Sequence, residues 1–209
     1  MRRALTLIEM IFTMVIVGLV FMVVPKILFV TNKSFETLVK EEALYNMMAL
    51  AGIVTTLPWD ENNTRSDAIL QTQSPASLYR CDATTRFYRI GGFAGGRNCI
   101  GGGAATPLPG REDGDFNDLD DYDGYTLQTA SAYGARYLLG VTVRYLSDPP
   151  PGNLVDLSTL SVAAGSSNIK EVNITVTNAP SNRRVPFRSS VSYHSANIGQ
   201  TLINRRAWR

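Results

Sequence analysis

The chain has 209 residues, 44% of them hydrophobic, and a formal net charge of only +2. That length leaves room for one hydrophobic core and excludes a string of domains. The near-zero mean hydropathy of −0.03 averages two unlike regions: residues 4–31 are almost uncharged, whereas Gly, Ser, Asn and Asp dominate much of the remaining chain.

The apolar run covers residues 10–24 and continues past Pro25 and Lys26 through residues 27–30, roughly the length that crosses a bilayer. Arg2 and Arg3 precede it and acidic residues come after it. The positive-inside bias therefore places the N-terminus in the cytoplasm and the remainder outside. A cleaved secretory signal would end in a small-residue cleavage site, but no alanine occurs between Leu5 and Glu42, so the run reads as a retained anchor. Glu9 stands at its entrance. An ionisable group in a membrane segment points to a partner or a task, and its own helix supplies no partner.

Residues Arg2-Arg3-Ala4-Leu5-Thr6-Leu7-Ile8-Glu9-Met10 resemble the type IV prepilin signature: a short basic leader, a cleavage point, then Thr-Leu-Ile-Glu opening a long apolar helix. Ala4 stands where glycine is usual, and Leu5 where phenylalanine is usual. The resemblance implies that a prepilin peptidase cuts between Ala4 and Leu5 and N-methylates the new terminus at Leu5. It also gives Glu9 a partner, the free N-terminal amine of a neighbouring subunit, and a buried charge needs such pairing.

Helix-compatible sequence continues through residues 35–51, with apolar residues at three- and four-residue spacing, and Pro58 marks a stop. One helix from 5 to 57 is predicted. Residues 1–4 are the leader, 5–31 the membrane and assembly half, 32–58 an amphipathic half, and 59–209 a periplasmic head. Pro25 removes a helix hydrogen bond and favours a kink; a tolerated membrane proline is the alternative.

From residue 59 to about 110 the chain is rich in turns, with Gly91-Gly92, Gly95-Gly96 and Gly101-Gly102-Gly103. These predict a long surface connection, and their spacing lacks the context of a phosphate-binding loop. Alternation predicts strands at residues 137–146, 171–177 and 187–193, which suit an antiparallel sheet over the amphipathic half of the helix. The expected class is α+β, and resemblance makes it the pilin fold.

Cys81 and Cys99 are the only cysteines. Outside the cytoplasm they can form a bridge worth roughly 3 kcal/mol on the loop-entropy account; two reduced thiols are the alternative. The acidic segment offers Asp113, Asp115, Asn117, Asp118, Asp120, Asp121 and Asp123, oxygen ligands of the kind calcium prefers. It lacks the EF-hand glycine and terminal glutamate, and a solvated acidic loop is the competing reading. Residues 118–125 are also similar to an acidic-aromatic stretch in minor pilins of the mannose-sensitive haemagglutinin type. Asn62 and Asn173 each begin N-x-[ST], a glycosylation pattern less accessible at Asn173, within a predicted strand.

Arg183, Arg184, Arg188, Arg205, Arg206 and Arg209, near Tyr193 and Trp208, make the C-terminal region basic; DNA contact competes there with ordinary solvated arginines. His194, the sole histidine, has no recognisable nucleophile, metal or phosphate constellation around it, so no enzyme is expected. The expected function is a minor pilin or pseudopilin, a structural subunit of a type IV pilus or a type II secretion or competence filament. Its partners would be other pilin subunits, the prepilin peptidase and the inner-membrane assembly platform. The alternative is a DNA-binding or adhesive tip subunit. No cofactor is required on this reading, with calcium the one candidate.

Overall fold

The computed structural model describes residues 6–63, 69–74, 103–130, 136–149, 156–178 and 187–199. Helix α1 spans Leu7–Val54, 48 residues, or about 72 Å at 1.5 Å per residue. It runs unbroken through Pro25. It ends at Val54, short of the predicted 57. The Thr55 hydroxyl donates to the Gly52 carbonyl and the Thr56 hydroxyl to that of Ile53, occupying carbonyls of the last turn, and Pro58 disfavours helical backbone at the residue before it.

The two halves of α1 differ completely in packing. Every described residue from 6 to 38 is exposed, whereas Ala43, Met47, Leu50 and Val54 are buried. Their spacing of four, three and four residues puts them on one face. Burial of side chains such as Met47 and Leu50 contributes about 1.5–3 kcal/mol each. The docked half therefore begins at about residue 39.

Four antiparallel strands form one sheet in sequence order: β1 Thr126–Ala130, β2 Arg136–Leu146, β3 Ile169–Asn178 and β4 Arg188–Ala196. The three predicted strands are β2, β3 and β4, each longer than expected. β1 had no strand signal, because four of its five residues are exposed and it carries little apolar alternation. In the register, Val172 pairs with Val143 and Tyr193, and Ile174 with Val141 and Val191. That face, with Tyr137, Leu139, Tyr145 and Val176, forms one core with the docked face of α1, Trp59, Leu70, Leu119 and Tyr122.

Beyond β1 the edge of β2 is completed by other groups. The Asp123 carboxylate accepts from the Val143 N–H at 2.8 Å, and the Ala163 N–H donates to Tyr145 O at 2.9 Å. The stretch predicted as a surface connection is partly core: Ile69 and Leu70 are buried, and the Asn197 side chain bonds both the N–H and the carbonyl of Leu70. Gln71 bridges Ala104.

Candidate functional site

Among the described residues one helix is long and apolar enough to cross a membrane, and it lies near the N-terminus. Its apolar side chains from Leu7 to Val30 are exposed; Leu7 is 79% exposed and Phe21 74%. Glu9 sits in the first turn, where a carboxylate also interacts favourably with the helix dipole. Ala4 and Leu5 lie outside the described residues, as do Cys81 and Cys99, Arg183, Arg184, Arg205, Arg206, Arg209 and Trp208.

The acidic segment is divided among several structural tasks. Asp118 accepts from the N–H groups of Asp120 at 2.7 Å and Asp121 at 3.2 Å. Asp121 in turn accepts from Asn117 and Asp118. Asp113 caps Asp115 locally, and Asp123 serves β2. The chain is thereby folded into a 3-10 turn at Asp120–Tyr122, and Asp120 is carried to the centre of the head.

There it meets a residue that sequence reasoning passed over. Lys170 is fully buried and donates to Asp120 at 2.7 Å, to the Trp59 carbonyl at 2.6 Å and to Asp60 at 3.3 Å. Its ammonium lies 3.8 Å from the Trp59 ring centre and 5.1 Å from that of Tyr145, close enough for cation–π attraction. Asp60 also accepts from the N–H groups of Asn62 and Thr106. One ammonium thus joins the exit of α1, the acidic segment and β3. The available signal was phase: Lys170 stands two residues before Val172 on the alternation that points Val172, Ile174 and Val176 inward.

Charge at this centre is unbalanced. Asp60, Asp118 and Asp120 are all fully buried around one ammonium. Burial raises the Asp118 carboxyl to about 7; Asp121 adds to the rise, while hydrogen bonds from the Asp121 and Asp120 backbone and the pull of Lys170 oppose it. Asp120 is raised to about 8, because burial outweighs the attraction and hydrogen bond of Lys170, and Asp118 and Asp60 push in the same direction. Burial raises Tyr145 as well, keeping its hydroxyl a donor, at 2.6 Å, to Thr106 O.

Among the described residues no group of three or more His, Cys, Asp or Glu side chains is placed to hold a metal ion. Asn117 Oδ1, Asp118 Oδ2 and Asp120 Oδ1 are buried without a hydrogen-bond donor among the described residues.

Of the other candidates, Asn62 is exposed, with its Nδ2 donating to Ala104 O at 2.8 Å, whereas Asn173 lies in mid-strand between Thr142 and Ser192. Arg188 opens β4 and Tyr193 packs on the core. His194 is paired in register with Glu171, its Nε2 3.9 Å from Glu171 Oε1, and Glu171 is also bonded by Arg144. Comparison with protein-family models, with curated proteins and with solved structures finds no match to this chain.

Proposed function

We propose that this chain is a minor pilin or pseudopilin: a non-enzymatic subunit of a type IV pilus or of a type II secretion or competence filament. The observation that carries this reading is the pairing of the Ala4-Leu5-Thr6-Leu7-Ile8-Glu9 sequence with a helix exposed along residues 6–38 and docked only after them. An exposed apolar rod has two solvents open to it, lipid and other helices of its kind. A filament subunit uses both, first as a single-pass inner-membrane protein with its head in the periplasm and then as part of a bundle. Its partners on this reading are other pilin subunits, the prepilin peptidase and the assembly platform.

The test is processing and assembly in cells with an active prepilin peptidase. Terminal mass spectrometry is expected to find an N-methylated Leu5. Glu9→Ala is expected to insert into the membrane normally and to be depleted from sheared filaments at least about tenfold, as loss of a buried charge partner implies. Intact Met1, or normal incorporation of Glu9→Ala, would count against the reading.

A further inference from the structure

The Lys170 ammonium has three hydrogens to satisfy, and its acceptors are Asp120 at 2.7 Å, the Trp59 carbonyl at 2.6 Å and Asp60 at 3.3 Å. Lys170, Asp60 and Asp120 are fully buried, and the rings of Trp59 and Tyr145 beside the ammonium are buried too. In water an amine and a carboxyl group stay apart as hydrated ions. Held together in a dry core they lose that hydration, which shifts the balance toward their neutral forms. It is the neutral forms that condense to an amide.

The two carboxyl groups are held differently. Asp60 has a backbone N–H on each oxygen, from Asn62 and Thr106, which fixes its position beside Nζ. Asp120 Oδ2 faces Lys170, and its Oδ1 is buried without a donor among the described residues. Burial raises the Asp120 carboxyl to about 8, so at neutral pH it holds its proton, the form from which its hydroxyl leaves as water. The 2.7 Å contact to Oδ2 puts Cγ about 3.5 Å from Nζ at an ordinary hydrogen-bond angle, the separation at which oriented groups react.

We propose that Lys170 Nζ and Asp120 Cγ condense into an intramolecular isopeptide bond, with Asp60 as the acid–base catalyst. The Lys170 ammonium passes a proton to Asp60. The freed Nζ lone pair forms a bond to Cγ, and the Asp120 hydroxyl takes a proton from Asp60 and leaves as water. Asp60 then recovers a proton from the new amide nitrogen. One water is lost, the proton of the former ammonium ends on Asp60, and two buried charges are gone. The single remaining N–H keeps the Trp59 carbonyl as an acceptor. The bond joins residues 50 apart and ties the 3-10 turn at Asp120–Tyr122 covalently to β3. The ion pair of the structure is its precursor, and the bond stands or falls independently of the filament reading.

The test is the intact mass and tryptic map of the full-length chain, held folded in detergent at neutral pH over a time course and reduced before digestion. The mass is expected to fall by one water, with a branched peptide linking Asp120 to Lys170 and no cleavage after Lys170. Lys170→Arg, which keeps the positive charge, is expected to retain the water. Asp120→Asn is expected to lose ammonia in its place, and Asp60→Asn to slow the loss about a hundredfold or more. The decisive measurement is on the unsubstituted chain and needs no variant to fold. Full mass and a Lys170 open to trypsin, in protein shown to be folded by the near-ultraviolet circular dichroism of Trp59, overturn the bond. A water loss that persists in Lys170→Arg also overturns it, pointing instead to a succinimide at Asp113-Gly114 or Asp123-Gly124. Bond formation at the same rate in Asp60→Asn overturns the role given to Asp60.

Discussion

The two ends of α1 have almost the same helical geometry and opposite relations to the rest of the chain. Residues 6–38 are exposed throughout; Ala43, Met47, Leu50 and Val54, on the other half, are walled in by the sheet. In the first region apolar side chains are distributed all round the helix, which suits surroundings that are apolar all round. In the second they serve one face, because the surroundings have a polar side and an apolar side. Stability of the head should therefore be indifferent to the first region and depend on the second region and on the groups that lock it in place.

The sharpest break in that comparison comes from Lys170. Lys170→Met leaves Asp60 and Asp120 buried without their ammonium and is expected to cost about 3–5 kcal/mol. That corresponds to a fall of roughly 10 °C or more in the melting temperature of the head. Leu19→Ala, although it removes more side-chain volume, is expected to shift the same transition by less than about 1 °C, since Leu19 is exposed on the first half of α1. Thermal unfolding followed by near-ultraviolet circular dichroism of Trp59 and its neighbours separates the two. Equal effects would mean that the exposed helix contributes to the head after all.

A pH series sharpens the same contrast. Asp118 and Asp120 are raised by burial to about 7 and 8 from the ordinary carboxylate value of about 3.9. The folded head thus holds protons that the unfolded chain releases. That stabilisation is full below about pH 4 and is lost as pH rises through 7 and 8, by on the order of a few kcal/mol. The head should melt at a lower temperature at pH 9 than at pH 6, and Asp118→Asn should flatten the dependence. Greater stability at pH 9 would show that Lys170 holds both carboxyls ionised.

How much the sequence discloses depends on how local each signal is. The apolar run, the alternation in β2, β3 and β4, and the spacing of Ala43, Met47 and Leu50 are short-range patterns, and they were readable. Lys170 was not read because its meaning depends on Asp60 and Asp120, 110 and 50 residues away. The same holds for Leu70, whose burial depends on Asn197, 127 residues on. The acidic segment was read by composition, as oxygen ligands in bulk. Its backbone shows the individual roles: turn former, strand-edge cap and ion-pair partner.

The smallest expected effect tests that division. Asp113 and Asp115 are exposed, and among the described residues Asp113 serves as a local acceptor for the Asp115 N–H. Asp113→Asn retains an oxygen for that bond and is expected to change stability by less than about 0.5 kcal/mol, both in millimolar calcium and in chelator. A shared calcium site would couple these exposed carboxylates to the buried ones, so that calcium raised the melting temperature by mass action and Asp113→Asn abolished the rise. The hydrogen bonds of Asp118, Asp121 and Asp123 occupy one oxygen of each with backbone N–H groups, leaving Asn117 Oδ1, Asp118 Oδ2 and Asp120 Oδ1 as the buried atoms a cation would have to reach. A calcium-dependent rise of several degrees that survives Asp113→Asn but disappears in Asp118→Asn would place the ion at those three atoms. It would also replace the proton as the source of the missing positive charge.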